Sequence, residues 1–433
     1  MAWILVIPIE VRLIVLFVVG VILASGMNWA IYSLAWHPRP ISPWSKTPAG
    51  APQRTLLDCL PILGWWRLRR EASLHGRAFW IRPLLLELIA GISIAALYWW
   101  ETVEQGLLLP PELIAAPVGA FVNSDIAAIT HAQFAAHLLL FALMLVASFI
   151  DIDEKIIPDT ITVPGTLAGI LLATLSPWSL LDGYAWMAIG GIPEHEFLTI
   201  FSPNAWHPAL APFPHLTSLV VALSCWWGWC FAIMPRRWMT QRGLLMAIKV
   251  LCARLRREPL TWWIFGLGLL GSVFIVGVWR FAAAPNWAAL LTSLIGMAAG
   301  GGLVWLVRII GSHTLGREAM GFGDVTLMAM IGTLVGWQAT LIAFFLAPFA
   351  GLLIGIVQWM LHRDNEIPYG PFLCMATAFV IVTWTGVWET SMLYFQLGWL
   401  VPGVIAFCLI AMGGMLGLWR AILRMFDQPE RES

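Results

Sequence analysis

The chain is predicted to be an all-α, polytopic membrane protein, on three observations. Of its 433 residues 60% are hydrophobic and only 11% charged. Mean hydropathy is +0.82. Apolar stretches able to cross a bilayer, which takes roughly 20 helical residues, recur along the whole length. Formal net charge is zero, so overall charge implies no nucleic-acid partner, and the lipid bilayer is the partner that composition implies.

Hydropathy places about eleven transmembrane helices. The first, near 11 to 35, begins at Leu13 after an apolar Met1 to Ile7. With no basic n-region and no clear cleavage site before Ile31, it reads as an uncleaved span. The others lie near 84 to 100, 132 to 150, 159 to 176, 216 to 234, 261 to 279, 287 to 310, 325 to 338, 340 to 361, 371 to 389 and 396 to 419.

Orientation follows from the connections. Segment 36 to 83 carries Arg39, Lys46, Arg54, Arg67, Arg69, Arg70, Arg77 and Arg82, and 235 to 258 carries Arg236, Arg237, Arg242, Lys249, Arg254, Arg256 and Arg257, so both are expected in the cytoplasm. Segments 101 to 131 and 177 to 215 hold acids such as Glu101, Glu104, Asp182 and Glu194 but no Lys or Arg, and are expected outside. Alternating from an outside N-terminus puts every strongly basic connection inside. Tryptophan pairs 99–100, 226–227 and 262–263 read as interfacial anchors. The cysteines, Cys59, Cys225, Cys230, Cys252, Cys374 and Cys408, are scattered in or beside apolar spans. They indicate neither a disulfide framework nor a zinc site and read as small core residues.

Four segments follow. Residues 1–131 hold the N-terminal spans and the basic loop, 132–176 the spans around a first acidic cluster, 177–286 an outside loop, two spans and a second basic loop, and 287–433 a second acidic cluster and the C-terminal spans. The basic stretch Arg236 to Arg257 patterns as an amphipathic helix lying on the anionic leaflet.

The chemistry is carried by the acidic clusters, Ile150-Asp151-Ile152-Asp153-Glu154-Lys155-Ile156-Ile157-Pro158-Asp159 and Met320-Gly321-Phe322-Gly323-Asp324. A carboxylate beside hydrocarbon is costly unless paired, wet or functional. Peptide hydrolysis by two aspartates needs one ionised to activate water and the other protonated to assist the carbonyl, and close approach enforces that split. Glycines 321 and 323 allow tight turning or close approach of another backbone, and Pro158 breaks the helix before Asp159. The structural reading of Asp159 and Asp324 is that of ordinary helix N-terminal residues, and Asp153 and Glu154 are expected in a wet turn beside Lys155.

These blocks resemble those of the type IV prepilin peptidases, membrane aspartyl proteases of the glycine-x-glycine-aspartate class. Residues 149–165, Phe-Ile-Asp-Ile-Asp-Glu-Lys-Ile-Ile-Pro-Asp-Thr-Ile-Thr-Val-Pro-Gly, are similar to the family's first aspartate motif. Residues 318–337 are similar to the second, and Ile367-Pro368-Tyr369-Gly370-Pro371-Phe372-Leu373 resembles a third element. Asn28, Ser42-Pro43-Trp44-Ser45, Asp58, Pro61, Trp65 and 82–88 are similar to its first helix and first cytoplasmic loop.

The resemblance implies a membrane aspartic endopeptidase of the bacterial inner membrane with Asp151 and Asp324 catalytic. Gly321, Gly323, Pro158 and Asp159 would shape the site, and the substrates would be type IV prepilins or pseudopilins cleaved on the cytoplasmic side. No metal would be required, and S-adenosylmethionine would enter only if the family's N-methylation is retained. Three departures stand out. The two Cys-x-x-Cys pairs common in the family are replaced by Lys46-Thr47-Pro48-Ala49-Gly50 and Arg70-Glu71-Ala72-Ser73-Leu74-His75, which excludes a tetrahedral cysteine zinc site. Thr326 stands where a lysine is frequent. The chain between the aspartate motifs is longer by about 177–286. Other readings are a transporter or proton channel, whose acids usually lie near the midplane in related repeats, and a non-pilin protease of the same class.

Overall fold

The computed structural model describes residues 6–39, 41–47, 50–108, 123–183, 185–186, 193–194, 196–234, 258–316, 318, 320–361 and 368–426. The basic stretch 235–257 and Ile367 lie outside the described residues. Eleven helices longer than ten residues occur among those described: α1 (Ile9–Ser33), α2 (Ile81–Tyr98), α3 (Asn123–Glu154), α4 (Asp159–Leu175), α5 (Leu216–Ala232), α6 (Pro259–Phe281), α7 (Ala284–Leu315), α8 (Phe322–Leu361), α9 (Gly370–Val382), α10 (Trp384–Phe395) and α11 (Leu400–Phe426). A two-residue antiparallel pairing, 185–186 with 193–194, is the strand structure among them.

Seven helices are long and apolar enough to cross a membrane, and α9 with α10, bent by 94°, makes an eighth if counted as one broken span. Two short apolar helices, α4 and α5, and the fold-back of α8 account for the difference from the eleven expected. A straight helix of α8's 40 residues would run about 60 Å, twice the hydrocarbon core. Instead Gly336 adopts φ 77°, ψ 169°, open to glycine because it lacks a Cβ. Asp324 and Pro348 consequently line the same cavity, so α8 is a first arm, 322–335, and a second arm running back from Trp337.

The first arm is the centre of the bundle: residues 324–336 are all buried. Glycine lets its neighbours reach it. A Cβ on Gly296 would stand 2.1 Å from the Gly332 carbonyl oxygen, and one on Gly332 the same distance from that of Gly296. Thus α7 and α8 touch backbone to backbone, the small-residue packing that membrane helices use where lipid is as apolar as leucine. On the other side, Gly165 and Gly169 of α4 admit Met330 and Thr333. The close fit fixes Asp324, in the first turn of the arm, relative to α4 and hence to the first acidic cluster.

The tryptophans divide. Trp262 and Trp263 are exposed, as anchors should be. Trp226 and Trp227, expected at an interface, instead join α5 to α6: the Trp226 indole donates to the Gly268 carbonyl and the Trp227 indole to Ser272 Oγ, over the flat surface left by Gly268 and Gly271. A buried indole N–H needs an acceptor, and α6 supplies two. Of the acids assigned to outside loops, Glu101 is buried and hydrogen-bonded to His137 Nδ1 at 2.7 Å, and Asp182 is also buried.

The first basic loop is held by polar groups. Glu71, fully buried, takes a two-pronged contact from Arg54, which also donates to the Ser42 and Ser45 carbonyls. Asp58, also buried, accepts from the Thr55 N–H and from Arg67 and Arg70. Burial would raise the Asp58 carboxyl, but these hydrogen bonds outweigh it and hold the group below the usual carboxylate range. Glu87 of α2 ties the loop to the bundle by accepting from the Ile62 N–H, the Trp65 indole and the Asn28 amide. Among the described residues no group of three or more His, Cys, Asp or Glu is arranged to hold a metal, and acid–arginine pairs hold the loop in which the resemblance led us to look for cysteine pairs.

Candidate active site

The last turn of α3 carries Asp151. Its carbonyl accepts from the Lys155 N–H at 2.7 Å, and Lys155 takes a left-handed φ of 57°, ending the helix. The chain then passes Ile156 and the buried Ile157 to Pro158, whose extended ψ of 136° caps α4 with Asp159 as first helical residue. Three segments meet here. A Cβ on Gly323 would stand 2.8 Å from Ile157 Cβ and 3.0 Å from its carbonyl oxygen; one on Gly370 would stand 2.6 Å from Asp151 Oδ2. The Gly370 N–H donates to that oxygen at 3.1 Å. Neither Gly321 nor Gly323 has a positive φ, so Gly323 serves close approach rather than turning, and the backbone it admits is that of Ile157.

Asp151 and Asp324, 173 positions apart in the chain, line one cavity of about 1100 Å³ and are 5% and 7% exposed. Gly321 lies against Asp324: a Cβ there would be 3.5 Å from Oδ2. Asp159, Gly321, Gly323, Lys155, Pro368 and Tyr369 share the cavity. Thr326, where the lysine was looked for, places its hydroxyl beside Asp159. Pro158 shapes the turn, although it does not face the cavity. Both carboxylates are thus on facing helix ends, nearly buried and open to a shared space, which suits them to divide one proton.

The other acids of the first cluster have structural partners. Asp153 pairs with Arg82 at 2.7 Å and Arg39 at 3.7 Å, and Glu154 accepts from the backbone N–H groups of Trp36 and His37. They tie the basic loop to α3 rather than standing in water. The contact of Gly370 with Asp151 was beyond sequence reasoning. Its block was recognisable, but no signal in it pointed at α3.

Residues 138–193 and 255–356 match the family model described as the type IV leader peptidase family. Over these two stretches the chain is similar to the type IV leader peptidase family. Among curated relatives named prepilin leader peptidase/N-methyltransferase, that of Aeromonas salmonicida is 29% identical over 178 residues, 40% of this chain and 56% of the relative. That of Pseudomonas putida is 27% identical over 140 residues, 29% and 48% of the two chains. That of Pseudomonas aeruginosa is 31% identical over 121 residues, 27% and 37%. The chain therefore spans about half or less of the length of the curated relatives it matches. No solved structure matches it. The two stretches matched to the leader peptidase family contain both aspartates and leave 194–254 between them.

Proposed function

We propose that this chain is an aspartic endopeptidase of the bacterial inner membrane that removes the leader of type IV prepilins or pseudopilins. The observation that carries this reading is the convergence of Asp151 and Asp324 on one cavity, on chain segments that match the leader peptidase family. One carboxylate, ionised, takes a proton from water as it attacks the scissile carbonyl; the other, protonated, donates to the carbonyl oxygen and the pair then returns a proton to the leaving nitrogen. The Gly370 N–H holds Asp151 Oδ2 in place. No step requires a metal or S-adenosylmethionine, and the acid–arginine loop does not fit a cysteine-bound zinc.

The active side is the cytoplasm, supported by the alternation of spans that puts both aspartates on the side of the basic connections 36–83 and 235–258. Asp151→Asn and Asp324→Asn each remove one half of the proton exchange with little change in volume. Each should lower leader cleavage by at least about a thousandfold while insertion and thermal stability in detergent stay near wild type. Processing within tenfold of wild type by either variant would remove the pair from the chemistry. Inaccessibility of cytoplasmic-side reagents to single cysteines placed in 236–257 would reverse the orientation.

A further inference from the structure

The cavity that holds the aspartates is poor in hydrogen-bond donors. Among the described residues that line it, Asp151, Asp159 and Asp324 bring carboxyl groups, Lys155 and Tyr369 bring nitrogen or oxygen donors of their own, and most of the rest are apolar. The hydrolysis set out above leaves one demand unmet. A carbonyl oxygen has two lone pairs, and the protonated aspartate serves one of them as negative charge builds on that oxygen.

Tyr369 stands where it can serve the other. It precedes Gly370, whose N–H donates to Asp151 Oδ2 at 3.1 Å. Across one peptide unit its Cα is about 2.4 Å from that nitrogen, and so within about 5.5 Å of the carboxylate oxygen. Its backbone is fixed at the cap of α9, at φ −86° and ψ −28°, and its carbonyl accepts from the Phe372 and Leu373 N–H groups at 3.1 and 3.3 Å. The side chain packs against the main core cluster. Its hydroxyl has no hydrogen-bond partner among the described residues. Burial, and after it the charge of Asp324, push the phenol up to about 12, so it keeps its proton and remains a donor wherever the aspartates can work. Asp324 is thus near enough for its charge to be felt at the phenol.

Lys155 is the rival donor. It lies on the turn that ends α3, at φ 57°. An ammonium brought up to the pair favours ionisation of both carboxyls, which opposes the sharing of one proton. A phenol donates without adding charge.

We propose that Tyr369 is a third catalytic residue, its hydroxyl donating a hydrogen bond to the scissile carbonyl oxygen as that oxygen gains negative charge. The proposal rests on the proteolytic reading above and names a group that reading lacks. The water oxygen bonds to the carbonyl carbon, the C=O π pair moves onto oxygen, one aspartate takes the water proton and the other gives its proton to the oxygen. When the C–N bond breaks, the pair returns a proton to nitrogen. No proton leaves the phenol: it is a dipole already aimed where charge develops.

Tyr369→Phe removes the hydroxyl and keeps the ring in its packing. With the full chain in detergent and a purified precursor, kcat is expected to fall by about a hundredfold, while KM stays within threefold. A fall of less than tenfold overturns the proposal. Binding supplies a measurement independent of turnover. A precursor peptide in which a hydroxyl-bearing tetrahedral carbon replaces the scissile carbonyl should bind Tyr369→Phe at least tenfold more weakly than wild type. In the Asp324→Asn background, adding Tyr369→Phe should change the Kd of the uncleaved precursor by less than threefold. Equal losses for analogue and precursor would show a packing or binding role and overturn the proposal. Lys155→Met is run beside it: loss of analogue binding there, with none in Tyr369→Phe, assigns the donor to the lysine and likewise overturns it. Failure of the wild-type chain to cleave the precursor would instead refute the proteolytic reading beneath it.

Discussion

Gly370→Ala tests the site more sharply than deleting a carboxylate, since it alters no ionisable group. Gly370 opens α9, and its N–H donates to Asp151 Oδ2 at 3.1 Å. Within a helix, alanine is ordinarily better than glycine by about 0.5–1 kcal/mol. Here its Cβ would stand 2.6 Å from Asp151 Oδ2 and 2.8 Å from Ile157 Cδ1. Restoring ordinary contact requires a shift of about 0.8 Å between α9 and the carboxylate, and a misplacement near 1 Å costs a reaction about a hundredfold. Weakening a hydrogen bond to a charged group removes about 1.5–3 kcal/mol, which at 1.36 kcal/mol per decade is about 10- to 150-fold. The two estimates describe one displacement and are not summed, so kcat should fall by about 10- to 100-fold. KM for the precursor should change by less than about threefold, because the substitution displaces the reacting carboxylate and not the rest of the cavity lining. The assay is initial-rate cleavage of a purified precursor across a substrate range, followed by mass spectrometry of the product. Wild-type kcat in a variant that folds normally would show that the Asp151–Gly370 contact does not hold the reacting geometry.

The two glycines of the second motif should separate. Gly323→Ala drives a Cβ into Ile157 and should cost about 1–3 kcal/mol of stability with loss of activity, whereas Gly321→Ala meets nothing closer than 3.5 Å and should fold as wild type; equal melting temperatures for all three proteins would count against the packing described. Asp58 is held below the usual carboxylate range, so its contribution to stability is complete above its unfolded pKa of about 3.9 and fades as pH falls toward its lower folded value. Asp58→Asn should therefore be less stable than wild type at pH 7, and the gap should narrow as pH drops below about 4; a gap that widens in acid would contradict the depressed pKa. Cleavage should survive strong chelators, and activity lost to chelation and restored specifically by zinc would contradict the metal-free reading.

Much of this protein was legible in its sequence because a bilayer constrains sequences severely. An apolar run must close its own backbone hydrogen bonds as a helix, and helices appear where hydropathy placed them, from Ile9–Ser33 to Leu400–Phe426. The acidic clusters were conspicuous for a related reason, since carboxylates such as Asp151 and Asp324 are costly beside hydrocarbon. What helices do to one another was not legible. Trp226 and Trp227 read as interfacial anchors and proved to be packing groups, because one helix's sequence does not reveal that Gly268 and Gly271 of another present it with a flat face. Asp153 and Glu154 read as wet and proved to be tethers, because their partners, Arg82, Arg39 and the backbone at Trp36 and His37, come from distant segments. Local composition thus determined that the chain is helical, membrane-borne and acidic at two helix ends. Only the tertiary structure decided that these ends share a cavity: the first arm of α8 is seated by glycine against α4 and α7, and Gly370 reaches across to Asp151, and such contacts between residues remote in sequence leave no periodicity to read.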